Sequence, residues 1–320
     1  MTADGRSQRE RSASLLTVAI CTWNRAALLA ETLEQLVCLT IPPSVEWELL
    51  VVDNNSTDTT PSVLAGFRDR LPLRPLREPR QGKSYALNRA IDEARGHYIL
   101  WTDDDILVDP GWLAAYHAAF LRWPEAGVFG GPIHPLFEGT PPSWLSRVFP
   151  DSWVARAYGA RMLGDEPLPL SDELPPFGGN MAVQRDLQLR FEPWRGPRGS
   201  HYLPGEETAM FLAMLGAGCH GWYVPDARVR HVVPRSRQTT AHLRRYAQGF
   251  GESLGRTADL PQVRTLLGKP LFMIREAIAA EARYRWRRLT APPQVWVRDL
   301  GRAGVCWGKL YGYGRGTRRL

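Results

Sequence analysis

The chain has few cysteines, and no two of them form a Cys-x-x-Cys pair. The four cysteines are scattered, at Cys21, Cys38, Cys219 and Cys306. This spacing excludes the usual paired-cysteine zinc sites and a disulfide framework, and it is typical of proteins from a reducing compartment. We therefore expect a cytoplasmic protein.

Long apolar runs are also missing from the sequence. No run reaches the roughly 18 apolar residues that a membrane-spanning helix needs. Residues 1–14 are polar, so we expect a disordered tail there and no signal peptide or membrane span. The composition, 44% hydrophobic and 23% charged, is that of an ordinary globular protein.

Acidic residues are scarce in the C-terminal third. From residue 226 onward there are 20 lysines and arginines against 6 acidic residues, a net charge of +14, whereas residues 1–225 carry −7. Residues 270–286 and 294–313 place arginines beside aromatic side chains. Such helices either rest on an anionic membrane surface, here the inner face of the cell membrane, or pack on the protein with a solvated face.

The order of the predicted elements favours an α/β sheet. Short apolar segments predict strands, and apolar residues at helical spacing follow them. The strands are predicted over 15–21, 47–52 and 97–101, and the helices after Asn24 as N-cap, over 56–67 and from 82 to 94. In sheets of this kind ligands bind beyond the carboxyl ends of parallel strands, where Thr22, Asp53 and Asp103 lie.

Three consecutive aspartates, Asp103, Asp104 and Asp105, follow the strand over 97–101. Alternate side chains of an extended chain share a face, so we expect Asp103 and Asp105 to point the same way and Asp104 elsewhere. Two carboxylates on one side suit Mg²⁺ or Mn²⁺. Water and substrate phosphates would complete the coordination shell of such an ion. The alternative is an acidic turn that Asp109 closes.

The rest of the chain contains candidates for a general base and for a third metal ligand. Residues 132–176 are rich in Pro, Trp and Gly, and we expect a long functional loop there. A short helix carries Glu206 and Glu207 in its first turn, a placement that favours the helix and also suits a general base. His231, in a strand predicted over 229–233, is either a structural residue or a metal ligand.

Six ordered segments resemble those of the inverting nucleotide-sugar glycosyltransferases of the bacterial family 2 type. The segments are residues 18–25, 51–58, 82–88, 103–105, 177–182 and 205–208. The resemblance implies the GT-A fold, an α/β fold with a mixed, Rossmann-like sheet flanked by helices, over 15–235, and a basic helical extension over 236–320. The family usually has Asp where this chain has Glu207, which leaves both Glu206 and Glu207 as candidate bases.

The resemblance also implies residue roles toward a nucleotide-diphosphate sugar, with a UDP-sugar preferred. Asp53 would accept a hydrogen bond from the nucleobase, and Asp105, Asp103 and His231 would hold the divalent metal. The further residues expected to contact the donor are Thr22, Asn24, Arg25, Asn55, Gly82, Lys83, Asn88, Asp103, Asp104, Gly179 and Asn180. Glu207 or Glu206 would take the proton from an acceptor hydroxyl, on a glycan, a lipid-linked or a small molecule, in one inverting displacement.

Two other functions compete with this one. A nucleotidyltransferase acting on sugar phosphates would also use a sheet and a carboxylate-bound metal, but its phosphate loop would normally contain glycine, and residues 21–25 have none. A nucleic-acid-binding protein would fit the basic C-terminal third, yet the acidic strand ends argue against it. We therefore expect no nucleic acid partner.

Overall fold

The computed structural model describes residues 15–149, 152–197, 203–258 and 263–315. The expected tail over 1–14 lies outside these residues. Contacts divide the chain into two compact units. Unit 1 holds the described residues up to Leu136, Gly159–Phe191 and Glu206–Val232, and unit 2 holds Phe137–Tyr158, Glu192–Gly205 and the residues from Val233 on. The expected domain limits, 15–235 and 236–320, stay a prediction.

Unit 1 is built on an eight-stranded sheet of order β3-β2-β1-β4-β9-β6-β10-β8. Its strands are β1 (Leu15–Thr22), β2 (Glu46–Asp53), β3 (Leu73–Arg77), β4 (Tyr98–Asp103), β6 (Val128–Gly130), β8 (Leu168–Pro169), β9 (Asn180–Gln184) and β10 (Gly221–Tyr223). The strands β3, β2, β1 and β4 are parallel, and β9 runs antiparallel to both β4 and β6. The mixed α/β sheet is therefore confirmed.

Helices cover both faces of this sheet because its central strands are apolar on both sides. Val18 and Ile20 of β1 pack in one cluster, and Ala19 packs in the other. The first face is covered by α1 (Ala26–Val37), α2 (Thr60–Gly66) and α4 (Trp112–Arg122), and the second by α3 (Lys83–Glu93) and α7 (Glu206–Gly216). Two-sided burial of this kind is what continuous apolar strands predict.

A second sheet of three strands, in the order β5-β11-β7, adjoins the aspartate triplet in sequence. It consists of β5 (Ile106–Val108), β7 (Ile133–Phe137) and β11 (Val229–Val233). β11 pairs antiparallel with β5, so that His231 lies opposite Ile106. This pairing carries His231 to the turn that contains Asp104 and Asp105.

Two of the predicted elements differ in the structure. The helix expected over 56–67 is shorter, Thr60–Gly66, because Asp58 accepts hydrogen bonds from the amide and the hydroxyl of Thr60 and holds the preceding residues in a bend. The long loop expected over 132–176 contains β7, β8 and two short helices, α5 (Ser143–Val148) and α6 (Ser152–Ala157). These helices are too short to show a period in the sequence, and they bury Leu145, Val148 and Val154 in the core of unit 2.

Unit 2 is helical, as expected for the C-terminal extension. Its long helices are α8 (Thr240–Thr257), α9 (Leu271–Thr290) and α10 (Pro293–Gly312), and a short hairpin, β12 (Thr265–Leu266) with β13 (Lys269–Pro270), precedes α9. None of the helices within the described residues is long and apolar enough to cross a bilayer.

Glycines set the spacing between α8 and α10. A Cβ on Gly251 would lie 2.2 Å from the carbonyl oxygen of Val305, and one on Gly255 would lie 2.3 Å from that of Lys309. From the other side, a Cβ on Gly308 would lie 2.1 Å from the carbonyl oxygen of Gln248. The two backbones therefore touch directly, and no larger residue fits at these positions.

Candidate functional site

The ends of β1 and β4 meet in a network around Asp104. Thr22 Oγ1 donates to Asp104 Oδ2 over 2.7 Å, and Arg25 Nη1 lies 2.8 Å from Asp104 Oδ1 and 3.0 Å from Asp105 Oδ2. Thr32 Oγ1 also donates to the carbonyl of Asp104. Burial alone would lower the pKa of Arg25, but the charges of Asp104 and Asp105 raise it above its ordinary value.

Asp105 brings His231 into the same network. His231 Nε2 lies 3.4 Å from Asp105 Oδ2, and the amide of Val232 donates to the carbonyl of Asp105. Gly159, with φ +74°, makes room for the ring, since a Cβ there would lie 2.9 Å from His231 Nδ1. The imidazole is thus held at the carboxylate by its strand and by a glycine behind it.

The three aspartates do not alternate as expected. Asp104 and Asp105 share the guanidinium of Arg25, whereas Asp103 faces Lys83, with 3.1 Å between Lys83 Nζ and Asp103 Oδ1. The expectation that Asp103 and Asp105 point the same way is therefore wrong. The reason is local: β4 ends at Asp103, and residues 104 and 105 form a turn, in which the two-residue repeat of a strand no longer applies.

Lys83 links the strand end to the acidic helix. Its Nζ atom lies 2.9 Å from Glu207 Oε1, 3.1 Å from Asp103 Oδ1 and 3.8 Å from Glu206 Oε1. Burial would lower the pKa of Lys83, but the three carboxylates raise it well above its usual range. One ammonium group therefore lies among three acidic side chains. Two of these, Asp103 and Glu207, line a small cleft together with Gly178, Trp101 and Phe191.

Two glycines give the carboxylates their space. A Cβ on Gly178 would lie 2.4 Å from Glu207 Oε1, and one on Gly179 would lie 3.3 Å from Asp103 Oδ2. The backbone at Gly178 and Gly179 is therefore packed directly against the side chains of Glu207 and Asp103.

Glu206 and Glu207 differ in their surroundings. Glu206 is 3% exposed, and burial, together with the charge of Glu207, raises its pKa to about 8. The side chain of Glu207 reaches into the cleft beside Lys83 and is 17% exposed. At neutral pH the Glu206 carboxyl is therefore largely protonated, which leaves Glu207 as the accessible carboxylate.

The end of β2 forms a separate polar cluster. Asp53 lies opposite Thr22 and accepts a hydrogen bond from the amide of Ser56. Asn24 has φ +52° and accepts from the amide of Thr57, so it does not cap α1 as expected. Asp58 takes that place, accepting from the amide of Ala26 over 3.0 Å. Asn55 has φ +66° and lies 3.3 Å from Arg77.

Asn88 and Asn180 are buried inside unit 1. The amide of Asn88 donates to and accepts from the backbone of Phe191. Asn180 Oδ1 accepts from Trp112 Nε1 and the Tyr116 hydroxyl, and its Nδ2 donates to the carbonyls of Pro132 and Ala227. These hydrogen bonds give both side chains a structural role. Contact of either side chain with the nucleotide-sugar donor stays a prediction.

Asn54 is a residue of the site that was not predicted. Its Oδ1 accepts from the amide of Gly82 over 2.8 Å, and its Nδ2 donates to the carbonyls of Glu78 and Arg80. Asn54 thereby fixes the start of the helix that carries Lys83. Its position directly after Asp53 at a strand end was the available signal.

A divalent cation at this site would need oxygen and nitrogen ligands from the side chains around it. Among the described residues, no group of three His, Cys, Asp or Glu side chains converges as a metal site. Asp105 and His231 do supply an oxygen and a nitrogen donor close together. A cation that keeps water and substrate phosphates in its shell needs only one or two protein ligands, so this pair fits such an ion.

Comparisons with known proteins give the family. Residues 17–181 match the family described as Glycosyl transferase family 2. The chain is 27% identical over 248 residues to the succinoglycan biosynthesis protein ExoM of Rhizobium meliloti, covering 75% of this chain and 74% of that one.

Two solved structures share the fold. A mannosyltransferase from Pyrobaculum calidifontis, in complex with GDP-Man and Mn²⁺, matches with a TM-score of 0.56 and 22% identity over 92% of this chain and 87% of its own. Residues 1–349 of TarS from S. aureus match with a TM-score of 0.51 and 17% identity, over 92% and 90%. The family match covers half of the chain and decides between the two enzyme functions considered: the chain belongs to glycosyl transferase family 2 and is a glycosyltransferase.

Proposed function

We propose that the chain transfers a sugar from a nucleotide-diphosphate sugar, a UDP-sugar in the first instance, to an acceptor hydroxyl with inversion. The observation that carries this is the bridge made by Lys83. It joins Glu207, the candidate base, to Asp103, a carboxylate at the strand ends where an α/β sheet binds its ligand. A single displacement requires the base and the sugar donor to meet in one cleft, and the Lys83 bridge supports that placement.

Glu207 is the base in this proposal. It would accept the proton of the acceptor hydroxyl as that oxygen attacks the anomeric carbon, and the bond to the nucleotide diphosphate breaks on the opposite side. Only one carboxylate is needed, because no covalent intermediate forms on the protein. Glu206 is buried and its pKa is raised, which supports a structural role for it and not the role of the base that deprotonates the acceptor.

The nucleotide would lie along the ends of β1 and β2. Asp53, Thr22 and Asn24 are close together there, and Arg25 supplies a positive charge that is 37% exposed. Asp105 and His231 would hold Mg²⁺ or Mn²⁺, and Asp103 stays a predicted third ligand of the ion. When bound, the cation would offset the negative charge that develops on the leaving diphosphate.

The test is a screen of nucleotide sugars that measures release of nucleotide diphosphate with Mn²⁺ or Mg²⁺, with EDTA, and after Asp105→Ala. We expect turnover that EDTA abolishes and Mn²⁺ restores. Calorimetric titration of Mn²⁺ in the presence of nucleotide diphosphate gives an independent measure of the same site. Turnover that neither EDTA nor Asp105→Ala changes would remove the cation from the proposal.

A further inference from the structure

The helix α9 has two apolar faces, and only one of them is buried. The buried face consists of residues three or four apart that pack within unit 2, namely Met273, Ala277, Ala280 and Tyr284. The other face carries large side chains that remain exposed, Phe272 by 43%, Ile278 by 57%, Trp286 by 69% and Leu289 by 85%.

The exposed side chains form one continuous stripe. A helix turns about 100° per residue, which places the four within a sector of about 120° on the side opposite Tyr284. Ala279 and Ala282 fall in the same sector, and Arg275 is the charged residue within it. Single exposed apolar residues are ordinary, but a stripe of this width along a helix of 20 residues usually marks a surface that something covers.

Arginines border the stripe on both sides. By the same geometry Arg283 lies beyond Phe272 on one edge and Arg285 beyond Ile278 on the other, and both are exposed. Arg285 Nε lies 3.0 Å from Glu281, and Arg287 Nη1 lies 3.4 Å from Asp299. Glu276 is the exposed acidic residue of this helix, since Glu281 is engaged by Arg244 and Arg285.

The apolar stripe and its arginine borders indicate which kind of partner this surface binds. Two copies of the chain packed through this stripe would bring their arginine borders together, and the charges would repel. An anionic lipid surface offers the opposite charge at the level of the arginines and hydrocarbon beneath it for the apolar side chains. Trp and Phe are also residues that favour the boundary between lipid headgroups and hydrocarbon.

We propose that α9 is an interfacial helix that lies flat on an anionic membrane, with Phe272, Ile278, Trp286 and Leu289 in the hydrocarbon boundary and the arginines among the headgroups. About 30 Å of helix would lie along the surface, at 1.5 Å per residue. This inference does not depend on the proposed sugar transfer, because it concerns a different unit and a different ligand.

The experiment is flotation of the full chain with vesicles of phosphatidylcholine, with and without phosphatidylglycerol, and no nucleotide sugar present. We expect binding to the vesicles that contain phosphatidylglycerol. Ile278→Glu and Trp286→Glu should each weaken that binding by about tenfold or more, because each places a charge in the hydrocarbon boundary. Both positions are exposed, so the variants should keep their circular dichroism spectra and melting temperatures.

Leu121→Glu is the matched control. Leu121 is 59% exposed, like Ile278, but lies on α4 of unit 1, so this variant should float as the unchanged protein does. Absence of binding to either vesicle would overturn the proposal. Binding that Ile278→Glu and Trp286→Glu leave unchanged would do the same, as would sedimentation showing a dimer that Ile278→Glu converts to a monomer.

Discussion

Lys83 Nζ lies 2.9 Å from Glu207 Oε1, so the candidate base is ion-paired in the structure without ligands. The same ammonium lies 3.1 Å from Asp103 Oδ1. An incoming diphosphate and its cation would compete for these contacts. Lys83 therefore lies between Asp103, on the proposed donor side of the cleft, and Glu207, on the proposed acceptor side.

Replacing Lys83 by methionine should leave Asp103 and Glu207 in the cleft, and Glu206 where it ionises, without a positive charge beside them. We expect a loss of about 3 kcal/mol in the free energy of unfolding near pH 8, the usual cost of breaking a largely buried ion pair. The loss should be smaller near pH 5, where Glu206, whose pKa burial raises, is protonated and does not need a counter-charge. Urea denaturation at both pH values measures this, and Lys83→Arg, which keeps the charge, should retain most of the stability. An equal loss at both pH values would contradict the electrostatic account.

Glu207→Gln should lower kcat by roughly 10²–10⁴-fold, the range for loss of a general base. Donor affinity, measured by calorimetry with a nucleotide diphosphate, should change little. Glu206→Gln is the matched control, since it sits one residue away and is already largely protonated at neutral pH. A larger loss in Glu206→Gln than in Glu207→Gln would transfer the role of base to Glu206.

The pKa of Glu206, raised to about 8, predicts a dependence of stability on pH. The folded protein holds this proton more tightly than the unfolded chain does. The contribution of Glu206 is therefore complete below its ordinary pKa and is lost as the pH rises through about 8, by up to about 1.4 kcal/mol per pH unit. Glu206→Gln cannot ionise, so its unfolding free energy should fall less steeply over this interval. Parallel curves for the two proteins would show that Glu206 titrates normally.

Gly178→Ala should displace the Glu207 carboxylate, because the new Cβ would lie 2.4 Å from Oε1. We expect turnover to fall by about tenfold or more, since a small misplacement of a catalytic group is costly. Gly111→Ala is the matched control, because nothing lies within 4 Å of a Cβ built there. Crystal structures of both variants would show whether Glu207 has moved, and full turnover in Gly178→Ala would mean that Glu207 tolerates the shift.

Asn180→Ala should destabilise unit 1 by about 3 kcal/mol or more. The Trp112 indole and the Tyr116 hydroxyl would lose their acceptor, and two carbonyls would lose their donor, all in the interior. Chemical denaturation measures the loss, and nucleotide affinity at low temperature should be preserved in the folded fraction. A stable variant with weakened donor binding would instead restore the donor contact expected from the sequence.

Much of unit 1 was predictable because its strands are short apolar runs that end in polar residues. β1, β2 and β4 fall within one or two residues of their expected limits, and Thr22, Asp53 and Asp103 do lie along one edge. The family was predictable for the same reason, since its motifs occupy these strand ends.

What could not be predicted depends on contacts distant in sequence. Because of the turn at Asp104, the aspartate side chains do not alternate as expected. Arg25, some 80 residues away in sequence, forms ion pairs with two of them. Asn180 resembles a ligand-binding residue in a motif, yet its hydrogen-bond partners come from three other segments. The core of unit 2 combines short helices near residue 150 with helices from the end of the chain, and no local pattern indicates that.

The glycine contact between α8 and α10 bears on the synthesis of the chain. Residues 137–158 leave the ribosome early, but the helix that closes over them comes last: Trp153 packs on Gly301, and α8 on Gly304, Gly308 and Gly312. Unit 2 therefore cannot complete its core until translation has passed residue 312. Until then Leu145, Val154 and Leu243 lack the helix that finally covers them, so this apolar surface of the nascent chain is open to aggregation.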